Sequence, residues 1–153
     1  MLRVNRGARV LPFEQAVVDL RLNGRDTVLT NAAKLAAIGG GGTNCSAPLA
    51  LLNRENAKVD LVVFISDNES WMDARRGTNT AMMTEWSKLK ARNPTAKLIC
   101  IDLQPNATTQ APDRSDILNI GGFSDTVFEV IATFAKNELG PQHWVGEIEA
   151  IVV

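Results

Sequence analysis

Two loops carry the residue types that could do chemistry in this chain. The first is Gly39-Gly40-Gly41-Gly42-Thr43-Asn44, and the second is Ser66-Asp67-Asn68-Glu69-Ser70, which follows an apolar run. The Thr43 hydroxyl and the Asp67 carboxylate are hard oxygen ligands, which suit a divalent cation better than they suit acid–base catalysis. The two loops are therefore a candidate metal site, although the Asp67 carboxylate fits equally well as a helix cap or a turn-tightening group.

The common catalytic and nucleotide-binding signatures are missing from the sequence. A Walker-type phosphate loop follows a strand and ends in Gly-Lys-Ser/Thr, whereas this glycine run follows a predicted helix and ends in Gly42-Thr43-Asn44. The only histidine, His143, lies near the C-terminus, and no Ser-His-acid or Cys-His grouping can be built around it. Glu69 lies close to Asp67, but its default interpretation is a solvated loop charge. The sequence thus predicts a protein that is not an enzyme.

Composition sets further bounds on fold and location. The 153 residues, of which 45% are apolar and 22% charged, predict one globular domain spanning residues 1–153. A formal net charge of −1 argues against a broad electrostatic grip on nucleic acid. No stretch resembles a membrane span or a cleavable signal, which predicts a cytoplasmic location. Cys45 and Cys100 lack metal-ligand spacing and are predicted to be small buried residues.

The elements that must position the two loops can be predicted from periodicity. Residues 8–13 and 16–22 are predicted to be antiparallel strands joined at Glu14-Gln15. Four helices are predicted: residues 26–38 capped by Asp26, 46–53, 80–92, and a last helix capped by Ser124. Core-facing helical positions are predicted to be Val28, Ala32, Leu35, Met82, Trp86, Leu89, Val127, Val130, Ile131 and Phe134. Apolar strands are predicted at 59–65, 97–103, 117–120 and 147–153. This alternation predicts an α/β domain with a mostly parallel sheet and an antiparallel edge hairpin.

Several stretches resemble one known family. Residues 38–48 read Ile-Gly-Gly-Gly-Gly-Thr-Asn-Cys-Ser-Ala-Pro, and residues 62–69 read Val-Val-Phe-Ile-Ser-Asp-Asn-Glu. They resemble the Gly-Gly-Thr-x-Cys-Ser-x-Pro stretch and the strand ending Thr-Asp-Asn-Glu of the von Willebrand factor A (vWA) domain in Ro ribonucleoproteins, the TROVE family. Residues 96–99 and 112–118, followed by Gly122-Phe123, fall in family order. The resemblance covers nearly the whole chain and implies a three-layer, Rossmann-like vWA domain.

The resemblance also implies a metal-ion-dependent adhesion site (MIDAS) that is incomplete here. In the family, one loop carries Asp-x-Ser-x-Ser after the first strand, a second supplies a threonine, and a third an aspartate. Thr43 and Asp67 match the second and third loops, with Asn44, Asn68 and Glu69 shaping them. Because the Asp-x-Ser-x-Ser loop is absent, we expect a divalent cation such as Mg²⁺ to bind weakly.

Further implications concern partners and function. By family order the chain lacks the first, central strand of the sheet, and residues 1–4 would be the last turn of the first helix. Unpaired strand edges favour pairing with an upstream segment, a partner chain or a second copy; no membrane partner is expected. The implied function is that of a non-catalytic metal-binding domain in a Ro-like RNA-binding protein, acting in small noncoding RNA binding and RNA quality control. The alternative is a general protein-interaction vWA domain whose cation binds an acidic residue of a partner.

Overall fold

The computed structural model describes residues 2, 5, 7–66, 80–103, 111–112 and 114–136. Within these residues the helices and strands are α1 (Val28–Ala36), α2 (Ser46–Arg54), β1 (Leu61–Ser66), α3 (Ala81–Arg92), β2 (Lys97–Asp102), β3 (Ile117–Gly121) and α4 (Thr126–Ala135). The chain divides into two compact units. The first unit is Met1–Lys58 with Glu69–Arg92, and the second is Val59–Asn68 with Asn93–Val153.

The second unit holds a parallel three-stranded sheet in the order β1-β2-β3. Its register pairs Leu61 with Lys97 and Ser66 with Asp102 across the first strand pair, and Asp102 with Gly121 across the second. All six residues of β2 are buried, so both faces of this central strand are covered. A continuous apolar run is what such a strand requires, and the predicted parallel α/β fold is confirmed.

Helix α4 supplies the apolar face that packs against this sheet. Its residues Val127, Ile131 and Phe134 form one core cluster with Ile99 and Ile101 of β2. Val127, Ile131 and Phe134 were predicted from helical spacing, and all are buried. The ammonium of the buried Lys97 donates a hydrogen bond to the carbonyl of Phe134 and lies 4.6 Å from the centre of its ring. This contact places a positive charge at the C-terminal end of α4, where the helix dipole favours it.

In the first unit, α2 and α3 pack against each other. The predicted core residues Met82, Trp86 and Leu89 of α3 are buried, and Trp86 is 0% exposed. A polar contact links the two helices at their surface. The side-chain amide of Asn53 donates to the carboxylate of Glu85 at 2.6 Å and to its backbone carbonyl at 2.9 Å. The predicted boundaries of these helices agree with the structure to within one residue.

The predicted edge hairpin is wrong in extent. In place of two strands the structure has an isolated antiparallel bridge between Phe13 and Val17. The backbone N–H of Val18 donates to the carbonyl of Pro12 at 2.8 Å, and that of Glu14 donates to Ala16 at 3.0 Å. Proline has no N–H to return, so the ladder cannot extend through position 12. The tight turn at Glu14 is nevertheless present.

The predicted caps of α1 and α4 are also wrong. The Oγ1 of Thr27, rather than Asp26, caps α1 by accepting from the backbone N–H of Thr30 at 3.0 Å. The Oδ2 of Asp26 instead forms an ion pair with the Nζ of Lys34 at 2.8 Å. Asp125 holds the cap position of α4, whereas Ser124 was predicted there.

Helix α1 keeps its apolar face in solvent. Val28 is 83% exposed and Leu35 is 37% exposed, although both were predicted to face the core together with Ala32, which is also exposed. Helical spacing detects an amphipathic helix, but it does not report whether a neighbouring element covers the apolar stripe. The helix ends at Ala36, two residues before the predicted end.

The remaining expectations concern the edges of the fold. Among the described residues, β1 has a strand neighbour on one side only. The predicted strand at 147–153 and most of the predicted helical turn at 1–4 lie outside the described residues. Within the described part of the chain, none of the helices has the length and apolar character needed to cross a membrane. Cys45 and Cys100 are buried, as predicted.

Candidate metal site

The loop that carries Thr43 is fixed against the turn that begins at Glu14. The backbone N–H of Asn44 donates to the carbonyl of Glu14 at 2.8 Å. The side-chain amide of Asn44 donates to the carbonyl of Gln15 at 3.1 Å. Two hydrogen bonds from one residue give the loop a defined position, and Thr43 is half-buried beside them. The loop therefore presents Thr43 from a held backbone despite the four preceding glycines.

Asn44 also organises the start of α2. Its Oδ1 accepts from the backbone N–H of Ser46 at 3.1 Å and from the Ser46 hydroxyl at 2.7 Å. This is the side-chain-to-backbone pattern by which Asn satisfies an otherwise unpaired N–H at a helix start. Asn44 thus has the contacts that a loop-shaping residue needs, and its role beside a metal stays a prediction.

The second predicted ligand loop begins where the described part of β1 ends. Ser66 is buried, is the last residue of β1 and lies in register with Asp102 of β2. Asp67, Asn68 and Glu69 lie outside the described residues. The carboxyl edge of a parallel sheet is the usual place for a ligand site in open α/β folds. Ser66 ends β1 at this edge of the sheet, and the role of Asp67 as a ligand stays a prediction.

Asp102 is a candidate functional residue that the sequence analysis missed. It ends the central strand β2 and is 6% exposed. Its Oδ1 is buried without a hydrogen-bond partner, and desolvation by burial raises the pKa of this carboxyl group. The available signal was an acidic residue at the carboxyl end of an otherwise apolar strand, which is an unfavourable place for a charge unless a ligand compensates it.

Glu14 is a second carboxylate that the sequence analysis assigned only to a turn. Its side chain lies against the glycine loop, because a Cβ built on Gly41 would be 2.7 Å from Oε2 of Glu14 and 3.2 Å from its Cδ. Its Oε1 is buried without a hydrogen-bond partner. No sequence signal distinguished this contact, since Glu14 and Gly41 are 27 positions apart and no periodic pattern connects them.

The described residues supply oxygen donors in each unit taken by itself. The first unit has the Thr43 hydroxyl and the Glu14 carboxylate, and the second has the Ser66 hydroxyl and the Asp102 carboxylate. The described residues contain no group of three or more His, Cys, Asp or Glu side chains that could hold a metal ion. Binding of a divalent cation by Thr43 and Asp67 therefore stays a prediction.

Comparisons with known proteins place this chain in a family. The family described as the Ro60 vWA domain matches residues 1–135. The RNA-binding protein RO60 of Deinococcus radiodurans is 30% identical over 139 residues, which are 90% of this chain and 25% of that protein. The crystal structure of the Deinococcus radiodurans RO (RSR) protein matches with a TM-score of 0.67 and 26% identity, over 83% of this chain and 25% of that chain.

These relatives are much longer than the sequence described here. The chain spans about a quarter of the length of both. The family match nevertheless covers the Thr43 loop, all three strands of the sheet and all four helices of the described residues. The resemblance found in the Thr43 and Asp67 loops is therefore confirmed at the level of the family. This chain belongs to the Ro60 vWA domain family.

Proposed function

We propose that this chain is the non-catalytic metal-binding domain of a Ro-like RNA-binding protein that acts in small noncoding RNA binding and RNA quality control. In this proposal Thr43 and Asp67 bind a divalent cation, and Asn44, Asn68 and Glu69 shape the two loops. The observation that carries it is the family match over residues 1–135, which includes a Thr43 loop held by hydrogen bonds to the turn at residues 14–16. The relative from Deinococcus radiodurans is named an RNA-binding protein.

The bound cation would add positive charge to a chain whose own net charge is slightly negative. A formal net charge of −1 gives little attraction for phosphate. A partly hydrated Mg²⁺ can exchange a water for a phosphate oxygen of RNA, so that the ion links the domain to its ligand. The protein residues hold and orient the ion, while the donated phosphate completes its coordination. RNA binding by this domain is therefore expected to require the cation.

The test is RNA binding by the whole chain with and without Mg²⁺. Filter binding to a small structured RNA should show a complex in Mg²⁺ that is lost in EDTA. Thr43→Val removes the hydroxyl ligand and should weaken the Mg²⁺-dependent part of binding. Thr84→Val is the matched control, because Thr84 is exposed on α3 and its hydroxyl donates only to the carbonyl of Thr80. RNA binding that is equal in Mg²⁺ and EDTA would contradict the proposal. Micromolar affinity of the chain for Mg²⁺ would contradict the expectation that the cation binds weakly.

A protein-interaction domain is the second candidate, and one surface feature favours it. Phe123 and Phe128 are 54% and 51% exposed and stack edge to face with ring centroids 5.7 Å apart. Exposed aromatic side chains are enriched in protein interfaces. If the cation binds an acidic partner residue, a Glu-containing peptide should bind in Mg²⁺ and not in EDTA. That result, together with absent Mg²⁺-dependent RNA binding, would favour this second function.

The oligomer expected from open strand edges is proposed as well. Strand β1 is apolar, carries no charged residue, and forms one edge of the described sheet. Such an edge is a template for pairing with another strand. Light scattering of the 16.6 kDa chain should therefore show dimers or larger species. A monomer at high protein concentration would speak against pairing between copies.

A further inference from the structure

The first unit contains a strand-like segment that has no strand partner among the described residues. Residues 18–22 read Val-Asp-Leu-Arg-Leu, and they belong to no helix, strand or turn of the structure. The exposure of their side chains alternates, because the three apolar residues are half-buried whereas Asp19 and Arg21 are exposed. A period of two is typical of a strand with one covered face. The 18–22 segment therefore has the exposure pattern of a β-strand without its hydrogen-bonded neighbour.

The backbone of the 18–22 segment has an open edge. Among the described residues, the N–H and carbonyl groups of Asp19 and Arg21 make no backbone hydrogen bond. The N–H of Leu20, in contrast, donates to the carbonyl of Val18 at 2.9 Å. In a strand, alternate residues direct their N–H and carbonyl groups to the same edge. The open groups of Asp19 and Arg21 therefore belong to one edge, which another strand can pair with.

The side chains on this edge are complementary in charge to a second copy of the same segment. Neither Asp19 nor Arg21 takes part in the ion pairs of the described residues. When two copies pair antiparallel about Leu20, Asp19 of each copy lies opposite Arg21 of the other. Opposite charges at opposed positions stabilise an antiparallel pair, and like charges destabilise it. The order of charges thus favours one register of a symmetric pair.

The same register satisfies the open backbone groups. In an antiparallel pair, opposed residues alternate between those that exchange both N–H···O bonds and those that exchange none. Asp19 and Arg21 would exchange both bonds with their counterparts, which uses all their open groups. Leu20 would lie in the pair that exchanges none, and its N–H already has an acceptor within its own chain. Charge and hydrogen bonding therefore select the same register independently.

The apolar residues of the segment line a cavity of about 990 Å³ in the first unit. The lining includes Leu20 and Leu22 of the segment together with Ala50 and Leu51 of α2. Ala50 is exposed and Leu51 is half-buried, so this apolar face of α2 is incompletely covered. A strand added to the segment would bring further apolar side chains to this cavity, and their burial is favourable. The cavity therefore gives the pairing a hydrophobic contribution besides the hydrogen bonds.

We propose that the 18–22 segment is a self-association surface, to which a second copy of this chain adds as an antiparallel strand about a twofold axis through Leu20. In such an interface every contact occurs twice, so each charged pair and its hydrogen bonds are duplicated. The surface lies wholly in the first unit and is distinct from the β1 edge, which lies in the second. No cation takes part, so the association is independent of the metal binding proposed above.

The test measures the dimer Kd of the whole chain by sedimentation equilibrium in EDTA. Asp19→Lys and Arg21→Glu each turn two attractive pairs into repulsive ones, so each should raise Kd by at least about fourfold. Both residues are exposed, so the substitutions should leave the fold intact. Asp60→Lys and Arg25→Glu are the matched controls, because both residues are exposed and lie outside the segment. The controls should leave Kd unchanged.

Exchanging the charges separates specific pairing from a general loss of association. The double variant Asp19→Arg with Arg21→Asp restores opposite charges at the opposed positions and should dimerise about as tightly as the unmodified chain. A mixture of the single variants Asp19→Lys and Arg21→Glu should form a heterodimer more tightly than either variant pairs with itself.

Hydrogen exchange tests the register directly. As protein concentration rises, the amides of Asp19 and Arg21 should gain protection, because they donate across the interface. The amide of Leu22 belongs to the other edge of the segment and should gain none. Protection of Leu22 in place of Asp19 and Arg21 would refute the register, since a slip of one residue exchanges the two edges.

Three further results would overturn the inference. Equal Kd values for the charge variants, the controls and the unmodified chain would leave the β1 edge as the pairing surface. Failure of both the double variant and the mixture to restore the dimer would exclude the charged pairs. An unmodified chain that stays monomeric at all concentrations would remove self-association, while leaving the proposed metal site and RNA binding in place.

Discussion

Gly41→Ala tests the packing of Glu14 against the glycine loop without changing any charge. A Cβ at position 41 would lie 2.7 Å from Oε2, 3.2 Å from Cδ and 3.3 Å from Cβ of Glu14. The shortest of these distances is closer than carbon and oxygen atoms approach in folded proteins. The carboxylate sits at the end of a flexible side chain, so we expect Glu14 to rotate away while the backbone stays. The matched control is Gly40→Ala, whose Cβ would have no heavy atom within 4 Å.

The expected difference in stability between Gly41→Ala and Gly40→Ala follows from two opposing effects. Replacing glycine by alanine where the backbone permits it stabilises a protein by about 0.4–1 kcal/mol, because the unfolded chain loses freedom. Neither Gly40 nor Gly41 has a left-handed φ, so both variants receive this gain. Displacing Glu14 into a strained rotamer costs about 0.5–1.5 kcal/mol in Gly41→Ala alone. For a chain of this size the two variants should therefore differ by about 1–6 °C in Tm, with Gly41→Ala lower.

The assay compares the thermal unfolding of both variants, followed by circular dichroism. Gly40→Ala should raise Tm relative to the unmodified chain. Gly41→Ala should have the lower Tm of the two variants, although it keeps the Glu14 carboxylate. Equal Tm values in the two glycine variants would refute the argument that Glu14 is positioned by the space at residue 41.

Two further predictions concern the α2–α3 pair. The pKa of Glu85 is lowered, mainly by the hydrogen bond from Lys88 and further by that from Asn53. The Glu85 carboxylate therefore stabilises the fold at pH values above the ordinary glutamate pKa of about 4.3. This stabilisation is lost as the pH falls through the lower pKa of the folded state. Urea unfolding should therefore show the unmodified chain more stable than Glu85→Gln at pH 7, with the difference shrinking on acidification; a difference independent of pH would contradict the assignment. Trp86 is 0% exposed, and Trp86→Ala should cost about 3–5 kcal/mol of unfolding free energy by circular dichroism in urea, whereas the exposed Thr84→Ala should change it by less than about 0.5 kcal/mol; similar costs for both would be inconsistent with a core at Trp86.

Patterns that depend on neighbouring residues in the chain were predicted well. The boundaries of β2, β3, α2 and α3 agree with the structure to within one residue. A long apolar run predicts a buried strand, and apolar residues at helical spacing predict an amphipathic helix. The predicted hairpin failed because its alternation was only partial and Pro12 limits its ladder. The predicted cap of α1 was wrong because Asp26 and Thr27 are both good capping residues, and only the backbone geometry selects Thr27.

Contacts between distant positions could not be predicted from sequence patterns. The exposed apolar face of α1 has the same periodicity as a buried one, so its 83% exposed Val28 became visible only in the structure. The contact between Glu14 and Gly41 depends on how a turn and a loop meet. Asp102 is buried in the central strand between Ser66 and Gly121, which are distant from it in sequence. These features arise from tertiary packing, for which local spacing carries no signal.

The sequence by itself determined the α/β class, the order of the elements in the core and the resemblance that led to the Ro60 vWA domain family. It also determined Thr43 and Asp67 as candidate ligands, because hard oxygens in two loops of a known pattern can be seen without coordinates. Only the tertiary structure showed that the Asp102 carboxyl group at the end of β2 is buried and that its Oδ1 has no hydrogen-bond partner. Burial and hydrogen bonding are properties of packed neighbours, which local sequence patterns do not specify.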